Sequence, residues 1–453
     1  MKRTDSYRIV MILEVISDLL SVTVSYWTMK YIFMLSSGTR MIYLGLILST
    51  WFVLILMDAY DDLYSYSTQR ARLPVTVVVS LAFTVLAFAL FILATGRLWA
   101  VPNLFYPTYF IVCGALMLLG RNLVLKYAIH ERKKHSMLIA CRNGCPESFL
   151  AKLRKNSVDF GKVTVLRIGA EPDYGEILSA IDRCDNLLLT ADITEKVRNK
   201  IIIYAYKYRK TIKIVPTVDS LFMLEGAVTH VGDTPVIRVK DRFFAPLELA
   251  IKRCFDFTAS LIGLILASPL FVICAIGIKL DTPGAVFYKQ ERYTINKKRF
   301  DIIKFRTMVA DAEKHGARLA TENDDRITRF GKILRACRLD ELPQLINIIK
   351  GDMSIVGPRP ERPVYADMYG DIVKNYDVRY MAKAGLTGYA QVFGQYNTKV
   401  SDKILFDSIY INNFSLWLDL KLIAQTVMIM FIKESTEGVD EELAAAPTKK
   451  SGV

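Results

Sequence analysis

The 453-residue chain holds only four histidines, and its seven cysteines (113, 141, 145, 184, 254, 274 and 337) are scattered and odd in number. Only Cys141 and Cys145 lie close, and no Cys/His cluster has the spacing of a structural zinc site, so such a site is not expected. The first apolar run is long and has no small-residue cleavage site, which argues against a signal peptide. Formal charge is missing over long stretches: residues 74–95 and 98–120 contain no Asp, Glu, Lys or Arg, and 41–57 is a shorter run of the same kind. Those gaps exclude an ordinary soluble chain.

What is present is apolar and basic. Hydrophobic residues make up 52% of the sequence, and the mean hydropathy is positive. A helix needs about 20 apolar residues to cross a bilayer, so 74–95 and 98–120 are predicted spans. Residues 41–57 form a shorter one, and 9–35, which carries Glu14, Asp18 and Lys30, forms a fourth. Basic residues cluster at Lys2, Arg3 and Arg8, at Arg70 and Arg72, and from Arg121 through Lys126 to Arg132, Lys133 and Lys134. The alternate loops hold fewer, so the positive-inside bias places both ends of a four-helix bundle in the cytoplasm, where thiols stay reduced. A net charge of +14 suits an anionic lipid surface or an anionic substrate. No fold motif or aromatic-interleaved basic groove points to nucleic acid.

The expected organisation is a membrane protein with a transmembrane bundle over 1–130 and a Rossmann-like α/β module over 131–245. A mixed α/β catalytic domain follows over 246–433, then a disordered tail over 434–453. In the module, strands are predicted at Ser136–Ala140, Val163–Ile168, Asn186–Thr190 and Ile212–Val215, with helices near 146–156, 174–184 and 193–209. This alternation implies a mostly parallel sheet. The first strand is followed by Cys-Arg-Asn-Gly-Cys, which lacks the glycines that let backbone approach a pyrophosphate. That leaves a regulatory or oligomerisation module, and a homo-oligomer is compatible with it.

Phe257–Ile278 is again free of formal charge. Ser268-Pro269 sits at its centre, where proline removes a backbone donor. A further crossing would put the basic region beyond Lys279 outside the cell, against the positive-inside rule. The expectation is a re-entrant helix over 249–279 that turns at Ser268-Pro269, its freed carbonyls finding protein partners. Residues 404–432, with Trp417 and apolar residues punctuated by Asp407, Asp419 and Lys421, read as surface-lying membrane helices do.

The chemistry concentrates at Asp340-Glu341. Helices are predicted over 326–337 and 340–349, with Asp340 as N-cap and Pro343 in the first turn. Consecutive residues do not share a helix face, so the two carboxylates are expected to play different roles. One would attack or bind metal; the other would handle a proton or position an acceptor. Arg335 and Arg338 stand nearest for phosphate contacts, Gly357-Pro358-Arg359-Pro360 presents a guanidinium, and Lys304 and Arg306 leave the end of a strand. Together these cations form an expected pyrophosphate cradle.

An ordered set of motifs then carries a resemblance. Lys252-Arg253 with Phe255-Asp256, Ser268-Pro269, Lys279-Leu280-Asp281 with Pro283-Gly284, and Gln290-Glu291-Arg292 come first. Lys304 to Met308, Arg326-Ile327-Thr328, Leu339 to Leu345, Gly351 to Pro360, Gly385 to Gly388 and Gln391 follow. Over about 248–433 the chain resembles the bacterial sugar transferases, the monotopic polyprenyl-phosphate phosphoglycosyl transferases. The regions ahead of it resemble those of the large members that initiate capsule, exopolysaccharide or O-antigen synthesis.

The resemblance implies transfer of a sugar-1-phosphate from a UDP-sugar to undecaprenyl phosphate, with release of UMP and with Mg2+. It makes Asp340 the nucleophile and a metal ligand, and has Glu341 assist with the acceptor phosphate and the metal environment. It also implies a multi-pass protein of the bacterial inner membrane with its catalytic domain on the cytoplasmic face. Thr307, Arg338, Tyr293-Thr294 and Gly394-Gln395 depart from common family residues and leave the sugar unassigned. A catalytically silent scaffold for polysaccharide assembly is the alternative.

Overall fold

A computed structural model describes residues 3–34, 40–56, 73–86, 104–142, 162–224, 226–231, 234–238, 246–309, 312, 324–394 and 398–430. The chain divides into two compact units, Met1–Pro216 and Thr217–Val453.

The first unit begins with helices Arg3–Ile32, Arg40–Leu56, Leu73–Leu86 and Phe105–Lys133. All four contribute to one apolar cluster that includes Val22, Tyr26, Leu46, Leu54, Leu81 and Met117. Ile9–Ile32 and Phe105–Glu131 are long and apolar enough to cross a membrane; Gly45–Ile55 and Leu73–Leu86 are shorter apolar helices. Residues 87–103, which hold the end of one predicted span and the start of the next, lie outside the described residues.

The fourth helix does not stop at the charge that was expected to end it. It runs through Arg121, whose Nε and Nη2 donate to the Asp18 carboxylate at 3.0 and 2.6 Å. Both side chains are buried, so Arg121 belongs to the helix packing and not to a cytoplasmic loop. An ionised group is tolerated there because its partner is held opposite. Nearby, a Cβ at Gly120 would meet Ser17 Oγ at 2.0 Å, so glycine permits this close approach of the first and fourth helices.

The same unit continues as a parallel four-stranded sheet, in spatial order Lys162–Arg167, Ser136–Cys141, Asn186–Leu189 and Thr211–Ile214. Helices Tyr174–Asp182 and Glu195–Lys207 bury Ile177, Ile181, Val197 and Ile201 against Leu138, Leu187 and Leu189. Asp173 caps the first of them, accepting from the Gly175 and Glu176 amides. These elements lie within a few residues of the sequence expectations; the predicted helix near 146–156 falls outside the described residues.

In the second unit, helix Val218–Leu224 lies against helix Val400–Asn412, and the Asn412 side-chain amide donates to the Leu221 carbonyl. Helix Pro246–Asp281 follows, then the antiparallel pair Phe287–Tyr293 and Arg299–Phe305. Helices Arg329–Ala336 and Gln344–Lys350 come next, and Ser354–Val356 pairs in parallel with Gly385–Thr387. Helices Val400–Asn412 and Leu416–Met430 close the described chain.

In these last two helices the acidic residues do not form the solvent-facing side expected of surface-lying helices. Asp407 and Asp419 are buried: Asp407 lies 3.2 Å from the Arg379 guanidinium, and Asp419 accepts from Lys252 at 2.5 Å. Isolated acidic residues in an apolar run imitate an amphipathic surface, but here their partners come from distant segments.

Pro246–Asp281 is helical throughout, with Pro269 inside it. Pro269 has no N–H for the carbonyl of Ile265, and the Ser268 hydroxyl donates to that carbonyl at 2.7 Å. Near the helix start, Lys252 meets Asp419, Arg253 donates to the carbonyls of Ile348 and Ile349 at 2.5 and 2.7 Å, and Asp256 accepts from Ser354 at 2.7 Å. Near its end, Cys274 and Ile278 pack on Phe305 and Leu334, and Asp281 accepts from the Phe330 amide at 3.1 Å. Between these anchors Ile265, Leu266 and Val272 are exposed. Both flanks of the helix are thus tied to the same unit, while these residues of its apolar middle are exposed.

Candidate functional site

Strand Arg299–Phe305 supplies the first part of the site. Phe305 joins the cluster beneath the long helix, and Lys304, on the opposite face with Phe300 and Ile302, leads toward the carboxylates. The strand is locked to helix Gln344–Lys350 by Asn347, which is buried. Its Oδ1 accepts from the Ile303 amide at 2.9 Å and its Nδ2 donates to the Asp301 carbonyl at 2.8 Å. One side-chain amide thereby serves the strand edge as another strand would. Arg253 binds the last carbonyls of the same helix, where a cation also opposes the helix dipole.

The carboxylates precede that helix and do not cap it. Helix Arg329–Ala336 starts at Thr328, whose hydroxyl accepts from the Gly331 amide at 3.0 Å. The chain then reverses at Arg338, which is left-handed with φ 54°, and Leu339–Glu341 forms a single 3₁₀ turn. Leu339 and Leu342 fix the turn by packing near Phe305 and Leu334. Pro343, not Asp340, precedes helix Gln344–Lys350, with no side-chain cap. A helix over 340–349 was expected because the reversal at Arg338 carries no sequence signal of its own.

Glu341 is clamped. Its Oε1 accepts from Lys304 Nζ and from Arg359 Nη2, each at 3.0 Å. Burial alone would raise its carboxyl, but the Lys304 and Arg359 cations overcome that and hold it well below the usual carboxylate range. Asp340 differs. Half-buried, it forms neither a hydrogen bond nor an ion pair among the described residues. Burial raises its carboxyl, the Glu341 charge adds to the rise, and Lys304, Arg335 and Arg359 oppose it. Neighbours in sequence, the two groups have become one fixed anion and one more basic carboxylate with open oxygens.

The other expected cations divide. Lys304 and Arg359 reach Glu341 directly. Arg335 donates from Nε to Thr307 Oγ1 at 2.9 Å and acts on Asp340 through its charge. Arg338 occupies the reversal immediately ahead of the pair. Arg306 turns away, donating to the carbonyls of Thr282 and Pro283 at 2.8 Å each. It buttresses the turn after the long helix, where Gly284 has φ 121° and a Cβ would lie 2.2 Å from Arg306 Nη1. Sequence reasoning missed Asn347 and Arg379; an amide and an arginine in ordinary surroundings carry no local sign of the strand edge or loop they serve.

Among the described residues no group of three or more His, Cys, Asp or Glu side chains could hold a metal. Mg2+, however, commonly uses one or two carboxylates and completes its shell with substrate phosphates and water. The open oxygens of Asp340 fit that pattern.

Comparison with known proteins bears on the same region. A family model described as bacterial sugar transferase matches residues 247–433. The chain is 42% identical over 186 residues to a UDP-N-acetylgalactosamine-undecaprenyl-phosphate N-acetylgalactosaminephosphotransferase of Aeromonas hydrophila, covering 40% of this chain and 44% of that protein. It is 41% identical over 181 residues to a UDP-glucose:undecaprenyl-phosphate glucose-1-phosphate transferase of Caulobacter vibrioides, covering 39% and 68%. An exopolysaccharide production protein of Rhizobium leguminosarum bv. phaseoli is 38% identical over 201 residues, covering 42% of this chain and 98% of its own length. The chain spans about half the length of several other curated relatives it matches.

Proposed function

The chain belongs to the bacterial sugar transferase family, and on that premise we propose that it transfers a sugar-1-phosphate from a UDP-sugar to undecaprenyl phosphate. The observation that carries the reading is the split character of the dyad: Glu341 held by two cations at 3.0 Å each, Asp340 left open beside it. Family relatives that act on UDP-glucose or UDP-N-acetylgalactosamine support the substrate class.

In this reading an Asp340 carboxylate oxygen attacks the phosphorus that bears the sugar. The bond from that phosphorus to the bridging oxygen breaks, and UMP leaves with the bonding electron pair. An oxygen of undecaprenyl phosphate then attacks the same phosphorus, and the bond to Asp340 breaks to regenerate the carboxylate. No electrons are gained or lost overall. The raised basicity of Asp340 favours it as the attacking group, and the clamped Glu341 suits positioning of the acceptor phosphate better than proton transfer. Mg2+ held by Asp340 and the substrate phosphates would neutralise developing pyrophosphate charge. Arg335, Arg338 and Arg359 provide cations for the same phosphates.

The long helix Pro246–Asp281 enters and leaves the bilayer on one face, as a re-entrant element. Its two tethered flanks and its exposed apolar centre support this, as does the Ser268 hydroxyl that serves the carbonyl freed by Pro269. The four N-terminal helices would anchor the protein in the bacterial inner membrane, with the dyad at the cytoplasmic face where a soluble nucleotide sugar meets a lipid phosphate. The product would initiate a capsule, exopolysaccharide or O-antigen.

The test is UMP release by the full chain in nanodiscs, across a panel of UDP-sugars with undecaprenyl phosphate and Mg2+. Release with one sugar, ping-pong kinetics and its loss in Asp340→Asn are expected. Full activity in Asp340→Asn would remove the assigned nucleophile, and no turnover with any sugar would leave the scaffold reading standing.

A further inference from the structure

One buried ion pair of the second unit has no part in the chemistry described so far. Arg379 lies in the 3₁₀ turn Tyr376–Met381 and Asp407 in helix Val400–Asn412; their side chains are 5% and 2% exposed and lie 3.2 Å apart. The Arg379 guanidinium is spread over several partners. Nη1 donates to the Tyr376 hydroxyl at 2.8 Å, and Nη2 donates to the main-chain carbonyl of Arg359 at 2.9 Å.

That carbonyl belongs to the residue whose side chain clamps Glu341. Backbone hydrogen bonds hold the loop carrying it on either side. The Gly357 amide donates to the Thr387 carbonyl at 2.9 Å, the Pro358 carbonyl accepts from the Gly385 amide at 2.9 Å, and the Glu361 carbonyl accepts from the Tyr293 amide at 3.2 Å. At Arg359 itself the tether is a side chain, Arg379, that reaches it from below. A physical chain therefore runs from Asp407 through Arg379 to the Arg359 carbonyl, and from the Arg359 guanidinium to Glu341 Oε1 at 3.0 Å.

The pair is poorly suited to stabilising the core. Asp407 Oδ2 makes no hydrogen bond in spite of its burial. Burial pushes the Asp407 carboxyl up to about 6; Arg379 opposes this, Glu361 adds to it and Lys403 opposes it. A buried ion pair is often no better for stability than an apolar pair of the same size, whereas a fixed guanidinium gives the loop one position.

We propose that Arg379 and Asp407 are positioning residues of the reaction, holding the Arg359 main chain so that its guanidinium meets Glu341. This rests on the reading of Asp340-Glu341 as the reacting pair. Arg379→Lys keeps the charge beside Asp407 but cannot serve the tyrosine, the carbonyl and the carboxylate together. Asp407→Asn keeps the shape and removes the charge.

In nanodisc preparations of the full chain, each variant is expected to lower kcat for UMP release by about tenfold to a hundredfold, the scale for loss of alignment at a reacting site. Combining Arg379→Lys with Arg359→Ala should cost no more than Arg359→Ala alone, because both act through one guanidinium. Asp407→Glu should recover part of the rate, and the acidic limb of the pH–rate profile should move to lower pH in Asp407→Asn. Multiplying effects in the double variant, or wild-type rates in both single variants, overturn the proposal. Should Arg379→Lys fail to fold, the rate, the partial rescue by Asp407→Glu and the pH profile at Asp407 decide it. Full activity in Asp340→Asn would strike the underlying site instead, and is told apart by that variant alone.

Discussion

The Ser268 hydroxyl donates at 2.7 Å to the carbonyl of Ile265, which Pro269 leaves without its helical partner. In water such a carbonyl would be solvated. Inside a bilayer it must be satisfied by the protein, and the residue just ahead of the proline does so. A bend at Ser268-Pro269 can thus be hydrogen-bonded without help from a second helix.

With the helix in a bilayer, Ser268→Ala is expected to destabilise the protein by about 1–3 kcal/mol, the cost of a polar group left unpaired where water does not reach. Ser268→Thr, which keeps a hydroxyl, should lie close to the wild type. Thermal unfolding in nanodiscs distinguishes the two, and equal transition temperatures for the alanine and threonine variants would show that the hydroxyl contributes nothing.

Lys304→Met and Arg359→Ala should each reduce UMP release by roughly tenfold to a hundredfold, since a hydrogen bond to a charged group is worth about 1.5–3 kcal/mol. Both bind the same Glu341 oxygen, so their joint removal should depart from the product of the single effects. Steady-state kinetics of the two single variants and the double measures this directly.

Asp407 gives a pH-dependent stability with a definite sign. Its carboxyl is raised from the ordinary 3.8 to about 6 in the fold, so the folded state binds the proton more tightly than the unfolded chain. The contribution is fully present below the unfolded value and is lost as pH rises through about 6. The stability of the wild type minus that of Asp407→Asn should therefore fall by about 3 kcal/mol between pH 3 and 7, read by denaturation at each pH. A flat or rising difference would contradict the raised value. Arg379, Glu361 and Lys403 are the charged groups facing this carboxyl.

The Asp18–Arg121 pair yields a separate prediction for the first unit. Removing one partner leaves a buried charge, so Asp18→Asn should cost about 3–5 kcal/mol. The exchange Asp18→Arg with Arg121→Asp should recover part of it. Thermal transitions of the three proteins test this, and a wild-type transition in Asp18→Asn would mean that water reaches Arg121.

Much of this was legible in the sequence because the signals are local. Charge-free runs mark apolar helices, since a charge within the bilayer is costly wherever it sits. Alternating short apolar and amphipathic segments announced the parallel sheet of 136–214 within a residue or two. Asp340-Glu341 stood out as paired carboxylates among cations, and Lys304 and Arg359 do meet there.

Other features depend on partners far apart in the chain. Asp407 and Asp419 looked like the polar side of a surface helix and are buried ion-pair members. Arg121 looked like a loop cation and is held inside by Asp18. Arg306 stood two residues from Lys304, a spacing that would put both on one strand face, but the strand ends at Phe305 and the Arg306 guanidinium went to the turn at Thr282-Pro283.

The sequence by itself determined the apolar segments, the alternating module and the pair Asp340-Glu341, because hydropathy, periodicity and residue chemistry belong to the residues themselves. Only the tertiary structure decided that Glu341 is the clamped anion and Asp340 the open one. That difference comes from which carboxylate the fold places 3.0 Å from Lys304 and Arg359. Coulomb interactions and hydrogen bonds act through distance, and those distances depend on a local reversal at Arg338 and on cations, Lys304 and Arg359, brought in from segments distant in the chain.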